Sequence, residues 1–123
     1  ALMRDRTPVQ TTVGEAEAII SGARAYVLDA VGSMWDGACQ GVSDPGPQVL
    51  QARLAITHAM RESVRAIDML FYAAGTNAIH ESNELELYFR DIHTAGQHIA
   101  GLHSNFEYGA QALLGLPPEA SGW

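Results

Sequence analysis

The chain has 123 residues, 47% of them apolar and only 7% aromatic, with 14 acidic against 7 basic side chains and a net charge of −7. That is one domain with enough apolar sequence for a single core. The acidic balance, with no Lys or Arg run, excludes a nucleic-acid surface. The lone cysteine, Cys39, excludes an internal disulfide and suits a reducing, cytoplasmic setting. Near the end of an apolar helix, it is expected to be a buried, inert thiol. Neither a signal peptide nor an apolar run of spanning length is found, so no membrane partner is expected.

Residues 1–13 carry Pro8 and a β-branched Thr-Thr-Val run and are expected to form an extended lead-in. The helical domain proper is expected over 14–116, with 117–123 as a C-terminal tail. The spacing of Ile20, Ala23, Val27, Val31, Met34 and Ala38 predicts a first helix from about Glu15 to Ala38 with one apolar stripe. QGVSDPGP (40–47) reads as a turn. A second helix is predicted over Gln48 to Ala74, facing inward through Ile56, Met60, Val64, Ile67 and Phe71, with Gly75 as a left-handed stop.

A third helix is predicted to start after a Ser82 or Asn83 cap, with Glu84 and Glu86 at its positive end and an ion pair from Glu86 to Arg90. Its expected stripe is Leu85, Tyr88, Ile92, Ala95, Ile99, Leu102 and Phe106. The glycines at 96 and 101 argue for a break there, with Ser104 or Asn105 capping a fourth helix. Proline-free tracts joined by short turns predict an all-α fold, an antiparallel up-down four-helix bundle.

Such bundles can hold di-iron sites, which need Glu-x-x-His on facing helices. None of His58, His80, His93, His98 and His103 has Glu at the third preceding position, so no metal site is expected. No nucleophile elbow, phosphate loop or dinucleotide fingerprint is present either. Two weaker polar features remain. Asp91, Thr94 and His98 are spaced to share one helical face, where a histidine could serve as a base at the edge of a pocket. Gly75-Thr76-Asn77 would offer backbone N–H groups and short polar side chains at a helix end. His93, on another face from His98, is expected to be structural.

The segment FYAAGTNAIHESNELELYFRDIHTAGQH (71–98), the start GEAEAIISGARAYVLDA and the ending ALLGLPP together resemble the C-terminal helical domain of the acyl-CoA dehydrogenase fold, in its flavin-dependent monooxygenase branch. The resemblance covers nearly all of 14–118; its motifs are short, and its strength is their order and spacing. It implies that Gly75, Thr76 and Asn77 form the flavin-contacting turn. Arg90-Asp91 matches the family's Arg-Asp pair, but the carboxylate that should follow it is absent from IHTAGQHIAG. His98 stands at about that place and looks like the histidine of the two-component aromatic hydroxylases. The resemblance then implies a monooxygenase using reduced FMN or FAD and molecular oxygen through a C4a-hydroperoxyflavin, with a flavin reductase as partner. A small aromatic, phenolic substrate and a homo-oligomer, dimer or tetramer, are also implied. His98 would hydrogen-bond the phenol and accept its proton as the new bond forms.

Two alternatives stay open: an acyl-CoA dehydrogenase-like dehydrogenase or oxidase, with Glu81 or Glu107 supplying the carboxylate, and a non-catalytic helical oligomerisation domain. The sequence reads as the C-terminal part of a longer enzyme, expected to be inactive alone.

Overall fold

The structure, a computed structural model, describes residues 2–75 and 83–117. After a short 3-10 turn at Met3–Asp5, the chain forms α1 (Thr7–Cys39), α2 (Gly46–Ala74), α3 (Glu84–Ala95) and α4 (Ser104–Leu113), with a second 3-10 turn at Ile99–Gly101 between α3 and α4. No strand occurs among the described residues. The all-α class and its four helices are as expected.

The extended lead-in is not. α1 starts at Thr7, and Pro8 lies in its first turn. A helix's first N–H groups have no intrahelical acceptor, so proline costs nothing there and its fixed φ favours the helix. The residue read as a breaker is therefore an initiator. At its other end α1 stops in a Schellman motif: Val42 N–H donates to Gly37 O (2.9 Å) and Gly41 N–H to Ala38 O (3.2 Å). Gly41 adopts the positive φ of 72° that this motif requires. Asp44 Oδ1 then accepts from Gly46 N–H at 3.0 Å and starts α2. Cys39 is exposed, not buried.

α1 and α2 are an antiparallel pair. Gly37 lies beside Gln48, Tyr26 Oη donates to Gln51 Oε1 (3.0 Å), and Arg65 pairs with Glu15 at 3.6 Å. The buried face of α1 is a heptad of small residues, Ala16, Ala23 and Ala30, each 3% exposed. Ala30 clusters with Ala52 and Ala55 of α2, flanked by Tyr26, Val27 and Met34. Of the expected stripe, Ala23, Val27 and Met34 face the partner, whereas Ile20, Val31 and Ala38 are exposed. The helices meet through methyl groups, and the larger apolar side chains flank the seam.

α3, the second 3-10 turn and α4 form a broken third row along α2. Phe71 stacks on Phe89, His93 reaches Asp68, Gly96 lies on Val64, Gly101 on Met60, and Gly109 on Leu54. The contacts thus move steadily toward the N-terminal end of α2 as the chain advances. α2 is the hub of the arrangement, and α4 carries the third row onward where an up-down bundle would reverse it. The expected α3 stripe is again offset, with Tyr88, Ala95, Ile99 and Leu102 exposed.

Candidate active site

The break between α3 and α4 determines what His98 can do. α3 ends at Ala95, so His98 leaves the helical register and no longer shares a face with Asp91 and Thr94. Thr94 Oγ1 instead donates back to Arg90 O at 2.9 Å, and Asp91 is exposed. His98 is the N-cap of the 3-10 turn, in extended conformation, and its Nδ1 accepts the Ala100 N–H at 3.1 Å. The exposed ring therefore spends its Nδ1 lone pair on the backbone, and in the neutral form its proton must sit on Nε2. The turn offers an N–H donor outward. For the proton-accepting role drawn from the resemblance, the polarity of the ring is reversed.

The turn beneath His98 is held from both sides. Thr57 of α2, fully buried, donates Oγ1–H to Ala100 O at 2.6 Å. Asn105 of α4, 3% exposed, donates Nδ2–H to Ile99 O at 2.9 Å and more weakly to Ala100 O at 3.4 Å. A helix break frees carbonyls, and buried ones must find donors. Ser104 or Asn105 was expected to cap α4; Asn105 binds the preceding turn, Ser104 is already helical, and His103 precedes α4 without a side-chain cap bond. Thr57 carries no sequence signal for this role, since its partner lies 43 residues away.

His93 is the second finding. Its Nε2–H donates to Asp68 Oδ1 at 2.6 Å, and its ring lies 4.4 Å from that of Phe89, centroid to centroid. A carboxylate holding one ring nitrogen is the usual way to fix a working histidine. The pair lies beside a cleft between α2 and α3 of about 140 Å³, which His93 lines with Arg61, Gln97 and the apolar Met60 and Val64. His98 is not among its lining residues.

At the opposite end of the third row, α2 stops at Gly75, whose φ of 63° and ψ of −144° lie outside the expected left-handed helical region but still in a region open essentially to glycine. A Cβ added there would meet nothing within 4 Å among the described residues. Thr76 and Asn77, the other two candidate flavin contacts, lie outside the described residues, as does Glu81. The cleft beside His93, near 140 Å³, is below the roughly 300 Å³ at which cofactor pockets begin. Asn83 caps α3 as expected, its Oδ1 accepting from Leu85 N–H at 2.9 Å. Arg90 pairs with Glu86 at 2.7 Å. Glu107, the alternative carboxylate, is exposed in the first turn of α4.

No group of three or more metal-ligating side chains occurs among the described residues, and no helix there is long and apolar enough to cross a membrane.

Residues 1–102 match the sequence profile of the acyl-CoA dehydrogenase C-terminal domain. The chain is also similar to a pigment production hydroxylase of Rhodococcus erythropolis, 32% identical over 110 residues that cover 87% of this chain and 28% of the relative. An indole-3-acetate monooxygenase of Acinetobacter baumannii is 23% identical over 114 residues, covering 93% of this chain and 29% of that protein. The chain therefore spans under a third of the length of the curated relatives it matches. Both relatives bear the names of oxygen-inserting enzymes. Profile, helix order and relatives agree: the chain belongs to the acyl-CoA dehydrogenase C-terminal domain family.

Proposed function

We propose that this chain is the C-terminal domain of a flavin-dependent monooxygenase that hydroxylates a small aromatic substrate, with His98 at the substrate oxygen. A bound reduced flavin, FMN or FAD, would supply activated oxygen. Gly75, Thr76 and Asn77 would hold one edge of it, the remainder being enclosed by polypeptide beyond this chain or by a second copy. A separate flavin reductase and a homo-oligomeric, cytoplasmic enzyme belong to the same reading. The names of the two relatives support the reaction class, and one of them names an indole compound as substrate; a phenol is the substrate type that the resemblance implies.

The observation that carries the role of His98 is its capping bond to Ala100 N–H. With Nδ1 committed, Nε2–H donates to the phenolic or ring-bound oxygen and holds the ring in one orientation. A phenol ionises near pH 10 and an imidazole near 6.5, so drawing the proton fully onto the histidine is uphill by about 5 kcal/mol. A donor role avoids that cost and stabilises negative charge as it develops on the oxygen. The carboxylate that would abstract an α-proton in an acyl-CoA dehydrogenase has no counterpart after Arg90-Asp91, which disfavours the dehydrogenase alternative.

The test is isotopic. The enzyme containing this chain, given chemically reduced FMN or FAD, ¹⁸O₂ and a phenolic or indolic substrate, is expected to release product carrying one ¹⁸O atom. His98→Ala should leave flavin binding intact and lower product yield by about tenfold or more, the loss of one hydrogen bond to developing charge. No labelled product with either flavin overturns the monooxygenase reading; an unchanged yield in the variant overturns the role of His98 alone.

A further inference from the structure

We infer that the cleft between α2 and α3 is a binding site for a small carboxylate with a planar apolar body about one ring in size. Its volume of about 140 Å³ is close to that of engineered apolar cavities, ~150 Å³, that take up a single benzene. Gly96 and Gly101 let the turn lie close against α2 at the edge of this cleft. A Cβ on Gly96 would stand 3.3 Å from Val64 Cγ2, and one on Gly101 would stand 3.4 Å from Met60 Cε. Met60 and Val64 give the cleft apolar wall, and Arg61, Gln97 and His93 give it a polar one.

The charge distribution selects an anion. All seven basic side chains are arginines, and Arg61 is the one that lines this cleft. Arg65 is taken by Glu15 and Glu62, and Arg90 by Glu86. Arg61 has no ion-pair partner among the described residues. Asp68, the partner of the lining residue His93, is engaged by its Nε2–H. The guanidinium fork can grip a carboxylate through two parallel N–H bonds, and the Gln97 amide can add a third donor. His93, held by Asp68 at one nitrogen and by Phe89 at one face, is a rigid wall that the ligand need not order on binding. This site does not rest on the flavin reading, because it uses none of Gly75, Thr76, Asn77 or His98.

The experiment is a titration of the ¹⁵N-labelled chain with sodium benzoate, at ionic strength held constant with sodium chloride. Saturable shifts are expected at the backbone amides of Gly96, Gln97 and Gly101. Benzyl alcohol, which keeps the ring and lacks the charge, should bind at least about fivefold more weakly, as should benzoate to Arg61→Gln, from loss of a charge-assisted bond. Arg61 is exposed, so this variant keeps the fold, checked by an unchanged amide spectrum away from the cleft. Absence of saturable shifts at these amides, or a loss below about fivefold in either comparison, overturns the site. Either result is read without flavin and leaves the monooxygenase reading to its own test.

Discussion

On its α1 side, α2 meets methyl groups: Ala16, Ala23 and Ala30 recur every seventh residue and lie against a surface that includes Ala52 and Ala55. On its other side it meets glycines, a buried asparagine and an aromatic–histidine cluster, and its own buried hydroxyl, Thr57, points there. The first interface is long and repetitive, its polar contacts (Tyr26–Gln51, Arg65–Glu15) lying at exposed positions beside the alanine seam. The second is interrupted at the 3-10 turn, where Thr57 and Asn105 donate to the freed carbonyls of Ala100 and Ile99. The seam supplies stability that any two long helices of this pattern could supply. The broken row supplies position, because only there do backbone groups leave the helix and bring His98 and the cleft into place.

If that contrast is right, the broken row should tolerate far less added volume than the seam. Gly101→Ala puts a Cβ 2.7 Å from the backbone oxygen of Gly96, which cannot rotate aside. A loss of about 3 kcal/mol or more is expected in urea unfolding, at the upper end of overpacking costs. Ala23→Leu adds three carbons to the seam, where two uninterrupted rods can shift apart together, and a loss of about 2 kcal/mol is expected in the same assay. Equal losses would erase the distinction between the two faces.

Local features were legible in the sequence. The Asn83 cap, the Glu86–Arg90 pair, the glycine stop at residue 75 and the break between Gly96 and Gly101 each depend on residues within one or two turns of each other. Features that depend on a partner helix were not. Counting large apolar residues placed the stripe of α1 on Ile20 and Val31 and missed the alanine heptad, because close approach selects for small side chains and a hydrophobicity pattern rewards large ones. Pro8 was misread because its effect turns on whether a helix starts just before it or well after it. The Asp68–His93 and Thr57–Ala100 bonds join residues 25 and 43 apart, and nothing in either neighbourhood announces the other. For His98 the place of the ring proton was not readable, since it follows from a bond that exists only once α3 has ended.

The smallest expected effect on stability carries the most information about position. Thr57→Val keeps the shape of the side chain and removes its hydroxyl, leaving Ala100 O with only the long 3.4 Å bond from Asn105. A net loss of about 1 kcal/mol is expected, and Thr57→Ser, which restores the hydroxyl, should recover the position of the turn even though it gives up a methyl group. The readout that separates positioning from mere stability is the ¹⁵N spectrum of the His98 ring. In the unaltered protein Nδ1 should show the signature of an acceptor and Nε2 that of a protonated nitrogen, as the cap demands. In Thr57→Val the turn loses its anchor on α2, Ala100 N–H is no longer held against Nδ1, and the two ring nitrogens should move toward a common, exchange-averaged value. The ring of His93, fixed by Asp68 on a different turn, should not move at all. Movement of both rings would mean that the substitution loosens the whole third row, and movement of neither would mean that the local cap alone holds His98 and that Thr57 serves only to satisfy a buried carbonyl.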